Sequence, residues 1–301
     1  MFEESDQDDA DEECFGVDGL QEYGLIQDLL ADATAQSNQD QAEACVTRSL
    51  ARLRKSGDLP IAGFGDLKQQ SLQAVLITML QSWRTEQARF PDSTERKSVR
   101  LQEGDVVLED WIDHLRQGQM SSDPGASHQL SSVTAWLELQ PSKLLDKGSK
   151  PKAKTDKLLG PWLRSLAIAA SGLVAQGVLV GRDGVIDISP MPQEEAQTTL
   201  STLLSLWLQG MNTPLPLPHK TALAQLKGGN PKETYEGGYM KSAEADEPCL
   251  ARMFRDFEAL TEDGRFEELE KQVYAPLLAW EKAHVTARFH ATASTLSEAA
   301  E

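Results

Sequence analysis

Three residues near the middle of the chain have types and spacing suited to phosphodiester chemistry: Asp113, Glu138 and Gln140. Asp113 falls in a stretch of strand texture, 106–115. Glu138 and Gln140 lie near the end of another, 129–140. An acid on one strand and an acid-x-lysine on the next can hold Mg²⁺ beside a scissile phosphate. Residues two apart on a strand share a face, so the lysine reaches the attacking water. Glutamine stands at that lysine position here. The positions therefore read as a degenerate nuclease site with no resident cofactor, or, as the alternative, as an active metal-dependent DNase in which Asp113 and Glu138 hold Mg²⁺. Strand acids on a solvated sheet face look the same, so spacing alone leaves both open.

The second chemical feature is basic. Lys143, Lys147, Lys150, Lys152, Lys154 and Lys157 crowd a segment nearly free of apolar residues. It is expected to be a mobile loop, and its lysines are the candidates for DNA contact. Other chemistries lack their motifs. There is no Gly-x-Gly-x-x-Gly, no P-loop lysine and no Gly-x-Ser-x-Gly, which excludes helicase or ATPase work by this chain alone. His114, His128, His219, His284 and His290 sit singly. Cys14, Cys45 and Cys249 are odd in number and far apart, as reduced thiols of a cytoplasmic protein would be.

The elements that would position these residues follow from periodicity. Apolar residues at helical spacing predict a helix after Asp18-Gly19, a second over 41–55 stopped by Gly57, and a long third over 66–90. The stretch 57–65, with three glycines and a proline, reads as a turn-rich connection. Strands are expected at 98–104, 106–115, 129–140 and 177–188, all in one mixed sheet. A helix over 157–172 separates the third from the last, and Asp183-Gly184 makes a hairpin turn. Helices then follow a Pro-rich connector at 214–218. The class is α/β.

The whole chain has 301 residues with 29 basic against 47 acidic side chains, a net charge of −18. A free-standing DNA-wrapping protein carries the opposite balance. Eight of the carboxylates lie in residues 1–13 with no base among them. That run is expected to be a disordered acidic tail and has no secretory-signal character. The most apolar stretch, 166–180, is too broken to span a bilayer, so no membrane partner is expected. The organisation expected is an acidic disordered tail (1–13), a helical N-terminal segment (14–65), a nuclease-like C-terminal domain (66–285) and a polar tail (286–301).

Short motifs in fixed order carry a resemblance. They are Phe15-Gly16-Val17-Asp18-Gly19-Leu20, Gly57-Asp58-Leu59-Pro60 with Phe64-Gly65, Trp162-Leu163, Ala170-Ser171-Gly172, Arg182-Asp183-Gly184, Gly210-Met211 with Pro214-Leu215, and Tyr235-Glu236-Gly237. Together they make residues 12–283 resemble the C-terminal region of exodeoxyribonuclease V gamma chains, the RecC family. The resemblance implies a restriction-endonuclease-like (PD-(D/E)XK nuclease-like) core related to the RecB nuclease domain but without its activity. It implies partners of RecB and RecD type and DNA within the complex. It sets Asp110-Trp111-Ile112-Asp113 on the active relatives' Gly-Phe-Ile-Asp and Glu138-Leu139-Gln140 on their Asp-Tyr-Lys. Their Gln-x-x-x-Tyr helix pattern is absent from 161–170. Intact family members carry a long N-terminal region with inactivated helicase-like halves, so the chain is expected to be a fragment or a separately encoded domain. Chi recognition would lie in the missing region.

Overall fold

The structure, a computed structural model, describes residues 17–104, 106–121, 130–239 and 242–291. The acidic run 1–13 and residues 292–301 of the expected polar tail lie outside them. Three helices come first: α1 (Gly19–Thr34), α2 (Gln39–Ser56) and α3 (Ala62–Arg89). Asp18 caps α1 through a capping box with Gln21, and Gly57 closes α2 in the left-handed region at φ 89°. Ile26, Leu29, Leu30, Val46, Leu50, Leu72, Leu76 and Met79 fill the core between them.

The long third helix begins at Ala62, four residues before the expected start. Gly63 and Gly65 are part of its first turn, and a Cβ on Gly65 would run into the carbonyl of Pro60. Glycine here serves close approach and not a turn. The expected boundary between 65 and 66 thus falls inside α3. That helix joins both units, because its C-terminal end (Trp83, followed by Phe90) packs on the sheet.

The strands are β1 (Asp92–Ser93), β2 (Lys97–Glu103), β3 (Val106–Ile112), β4 (Leu115–Ser121), β5 (Leu130–Leu139), β6 (Ala175–Val180), β7 (Val185–Ile188) and β8 (Val285–Arg288). Among the described residues six of them form one sheet in the order β1-β4-β5-β6-β7-β8, and β2 pairs with β3 in a separate hairpin. This corrects the single sheet expected from sequence. The stretch 106–115 is not one strand: His114, at φ 56°, breaks it after Ile112, and the chain re-enters as β4. Residues 116–121, which lie outside the strands expected from sequence, belong to that strand. At the other end, Val285–Arg288 pairs with β7 and so is not tail.

β5 and β6 are parallel, and every other neighbouring pair in the sheet is antiparallel. The parallel pair needs a crossover, which α4 (Leu159–Ala170) supplies. Alternation along the strands builds the layers. Ala135, Leu137, Val178, Val180 and Val185 meet Phe90 and Trp83 on the α3 face. Trp136, Leu179, Ile186 and Ile188 meet Trp162, Leu166, Leu277 and Trp280 on the other. The result is a three-layer α/β arrangement with a mixed sheet.

The remaining helices are α5 (Gln193–Asn212), α6 (His219–Leu226), α7 (Pro231–Glu236), α8 (Pro248–Met253), α9 (Phe257–Thr261) and α10 (Arg265–His284). They thicken the α4 side. No helix among the described residues is long and apolar enough to cross a membrane.

Candidate functional site

Glu138 sits near the end of β5 on the same face as Trp136, pointing towards α4. Both of its carboxylate oxygens are engaged. Gln140 Nε2 donates to Oε1 at 2.8 Å, and Arg164 Nη1 donates to Oε2 at 3.4 Å. The Arg164 guanidinium lies 5.3 Å over the Trp136 ring, so one side chain from α4 clamps two positions of β5. Gln140 follows the strand's last residue and is held in line by its own N–H to the Val180 carbonyl.

Asp113 is not among the residues that line the cleft beside Glu138. It lies in the two-residue link between β3 and β4, and the β4–β5 ladder begins only at Leu115–Trp136. Its side chain is 58% exposed and its ionic neighbour is His114 Nε2 at 3.8 Å. The described residues hold no cluster of three potential metal-ligating side chains. A hard divalent ion asks for several free oxygens, and here an amide and a guanidinium already stand on the carboxylate.

Around Glu138, Gln140 and Arg164 opens a cleft of about 690 Å³. Its far wall is α1, which presents Tyr23, Gln27 and Thr34; its near rim carries Asp156 and Lys157. Lys157 is thus the lysine of the basic segment that joins the Glu138 site. Lys152 lines a different opening, beside α10 and β8, and Lys143, Lys147 and Lys150 are exposed.

The basic segment itself is anchored and not the free loop expected. Leu144, Leu145 and Ala153 are buried, and Leu145 bridges to Ala153. The N–H groups of Leu144 and Leu145 donate to the Asp183 carboxylate, the first at 2.7 Å. Arg182, next to it, donates its N–H to the Ser142 carbonyl and its guanidinium pairs with Glu22 of α1. Glu22 also pairs with Lys68 of α3. Burial pushes the Glu22 carboxyl up, but Lys68 and Arg182 outweigh it and leave the pKa below the ordinary value. The Arg182-Asp183-Gly184 turn is therefore a fastening point for the wall of the cleft.

Sequence reasoning singled out Glu138 and Gln140 as candidates and passed over Arg164. The signal was present: arginine is the one charged residue in the helix Leu159–Ala170. Nothing local marks Tyr23 and Gln27 as cleft residues, since they arrive through tertiary packing.

A family model described as the RecC C-terminal domain matches residues 1–230. The RecBCD enzyme subunit RecC of Escherichia coli (strain K12) is 25% identical over 292 residues, covering 90% of this chain and 23% of that protein. The chain thus spans about a quarter of the length of that curated relative. A solved structure described as the crystal structure of SSO0001 is 11% identical, covers 62% of this chain and 87% of that one, and has a TM-score of 0.25, which is too low to bear on the fold. On the match over residues 1–230, the chain belongs to the RecC C-terminal domain family.

Proposed function

We propose that this chain is a non-catalytic, nuclease-like module of a RecBCD-type helicase–nuclease. It docks RecB-like and RecD-like subunits and guides DNA strands during end processing in cytoplasmic double-strand break repair. The observation that carries the silent reading is the Glu138 carboxylate, taken up by Arg164 and Gln140 in a member of the RecC C-terminal family. Where a nuclease needs a cation and a lysine, this chain has a guanidinium and an amide. The restriction-endonuclease-like core is part of the same reading. It is supported by the long α3 on one sheet face and by the α4 crossover between the parallel strands β5 and β6.

Two measurements test it together. The chain is expected to co-purify with RecB-like and RecD-like subunits, and to release no nucleotides from labelled single- or double-stranded DNA in Mg²⁺ or Mn²⁺. Tight Mn²⁺ binding by calorimetry, lost in Asp113→Ala, would instead establish the metal-dependent DNase and overturn the silent reading. Failure to co-purify would remove the docking role.

A further inference from the structure

The lysines that matter for an anionic partner need not be those that crowd the sequence. Three ammonium-bearing side chains from three separate elements border one notch of about 350 Å³: Lys152 from the basic segment, Lys227 at the end of α6 and Lys282 near the end of α10. Leu278, Val285 and Ala287 give the notch an apolar lining.

Lys227 is held in place. Its Nζ donates to the hydroxyl of Thr155 at 2.5 Å, and that hydroxyl donates to Glu281 Oε2 at 2.7 Å. Thr155 is only 5% exposed, so a buried hydroxyl orients the ammonium and ties down the carboxylate that lines the notch. Neither Lys152 nor Lys282 enters an ion pair among the described residues. In a chain of net charge −18, three gathered cations facing one acid form a local field opposite to that of the whole molecule.

We propose that this notch binds a backbone phosphate of single-stranded nucleic acid. This assignment rests on the strand-guiding reading above and gives it a location. The lysines supply three-sided charge to one phosphate, and the apolar lining accepts the adjoining sugar. A duplex carries the same sugars but holds them in a fixed backbone with its phosphates on a convex rim, whereas a single strand is free to turn one sugar into the lining. With no aromatic ring in the notch, recognition is of the backbone and carries no base preference.

The test is fluorescence anisotropy of a short labelled single-stranded oligonucleotide with the full chain, across a salt series. Lys227→Ala with Lys282→Ala is expected to weaken binding about tenfold and to flatten the log–log salt slope by about 0.7 for each phosphate no longer neutralised. Thr155→Val, which keeps all three cations but frees Lys227, is expected to fall between parent and double variant. Lys143→Ala with Lys147→Ala, outside the notch, is expected to change binding less.

If the notch variant binds as the parent does while the Lys143/Lys147 variant loses affinity, the notch is overturned and strand guidance stands. If the parent itself binds no oligonucleotide at low salt, strand guidance fails and the notch with it. A polyglutamate peptide that binds as tightly as the oligonucleotide, and weakens as much in the notch variant, would assign the notch to an acidic protein segment and overturn the nucleic-acid proposal.

Discussion

Arg164 joins a strand to a helix through two unlike contacts, an ion pair to Glu138 and a face-on approach to Trp136. About a third of each side chain of the ion pair is exposed, so the charge term is small and screened. The ring contact adds a comparable amount. Arg164→Ala is expected to lower unfolding stability by about 1–2 kcal/mol in urea titration. Arg164→Lys should recover less than half, because an ammonium cannot bring a flat fork over the indole. Equal stability of Arg164→Ala and parent would mean that the clamp contributes nothing. His290 makes the second residue-scale case. Its Nδ1 lies 2.7 Å from Ser82 Oγ and its Nε2 2.9 Å from the Gly181 carbonyl. A neutral ring with its hydrogen on Nε2 satisfies both. Burial pushes its pKa below the ordinary value, against the opposing pull of the Gly181 carbonyl and Asp183. The unfolded chain therefore binds this proton more readily, and the contribution of His290 is complete above about pH 6.5 and declines as pH falls below it. Urea midpoints should drop from pH 7 to pH 5.5 in the parent and drop less in His290→Gln. Parallel curves would disprove the assignment.

α3 shows how one element can serve two cores, and why its sequence hides this. Its earlier turns face α1 and α2, its last turns face the sheet, and within those last turns lies Glu86, 1% exposed. Glu86 accepts from Arg89 and Arg288, each at 2.6 Å, and Arg288 Nε also donates to Asp187 at 2.7 Å. This network is what fixes β8, a short strand on the sheet's edge, to α3. Arg288→Ala leaves a buried carboxylate with one partner and is expected to cost about 2 kcal/mol, less than a fully buried pair because the arginine is partly exposed. Hydrogen exchange should show Val285–Arg288 opening first; unchanged protection there would argue that side-chain burial alone holds the strand. Single helices and the 185–188 strand were legible because each carries its own period and its own stop, such as Gly57. The split at His114 was not legible, since a left-handed histidine between two strand-forming runs leaves no compositional trace. Nor was the anchoring of the lysine segment, where two leucines held by Asp183 outweigh six cations. Sequence neighbours predicted Glu138 with Gln140. The arginine that completes the site comes from another element.

At the scale of the whole molecule the controlling quantity is charge. Eight of the acids lie in residues 1–13, which leaves ten of the eighteen net negative charges on the remainder. Such a field repels a polyanion at distances comparable with the Debye length, ~10 Å at 0.1 M salt. Local cations must therefore work against it. The isolated chain is expected to bind duplex DNA weakly, through few displaced counterions, and to lose that binding steeply with salt. Replacing Lys143, Lys147, Lys150, Lys152, Lys154 and Lys157 together by alanine should abolish it, since this removes six of the 29 basic side chains from one surface segment. Deleting residues 1–13 acts in the opposite sense and by a different route. It takes away like charge and no cation, so the number of phosphates engaged, and with it the slope against salt, should stay nearly constant while affinity rises modestly at low ionic strength. The gain should fade as salt screens the repulsion that the deletion relieves. Anisotropy titrations of parent and deletion variant at two salt concentrations separate the two effects. A gain that persists at high salt, or a slope that steepens, would show that the acidic run had been covering a DNA-binding surface directly, and its eight carboxylates would then have to be read as a competitor for that surface.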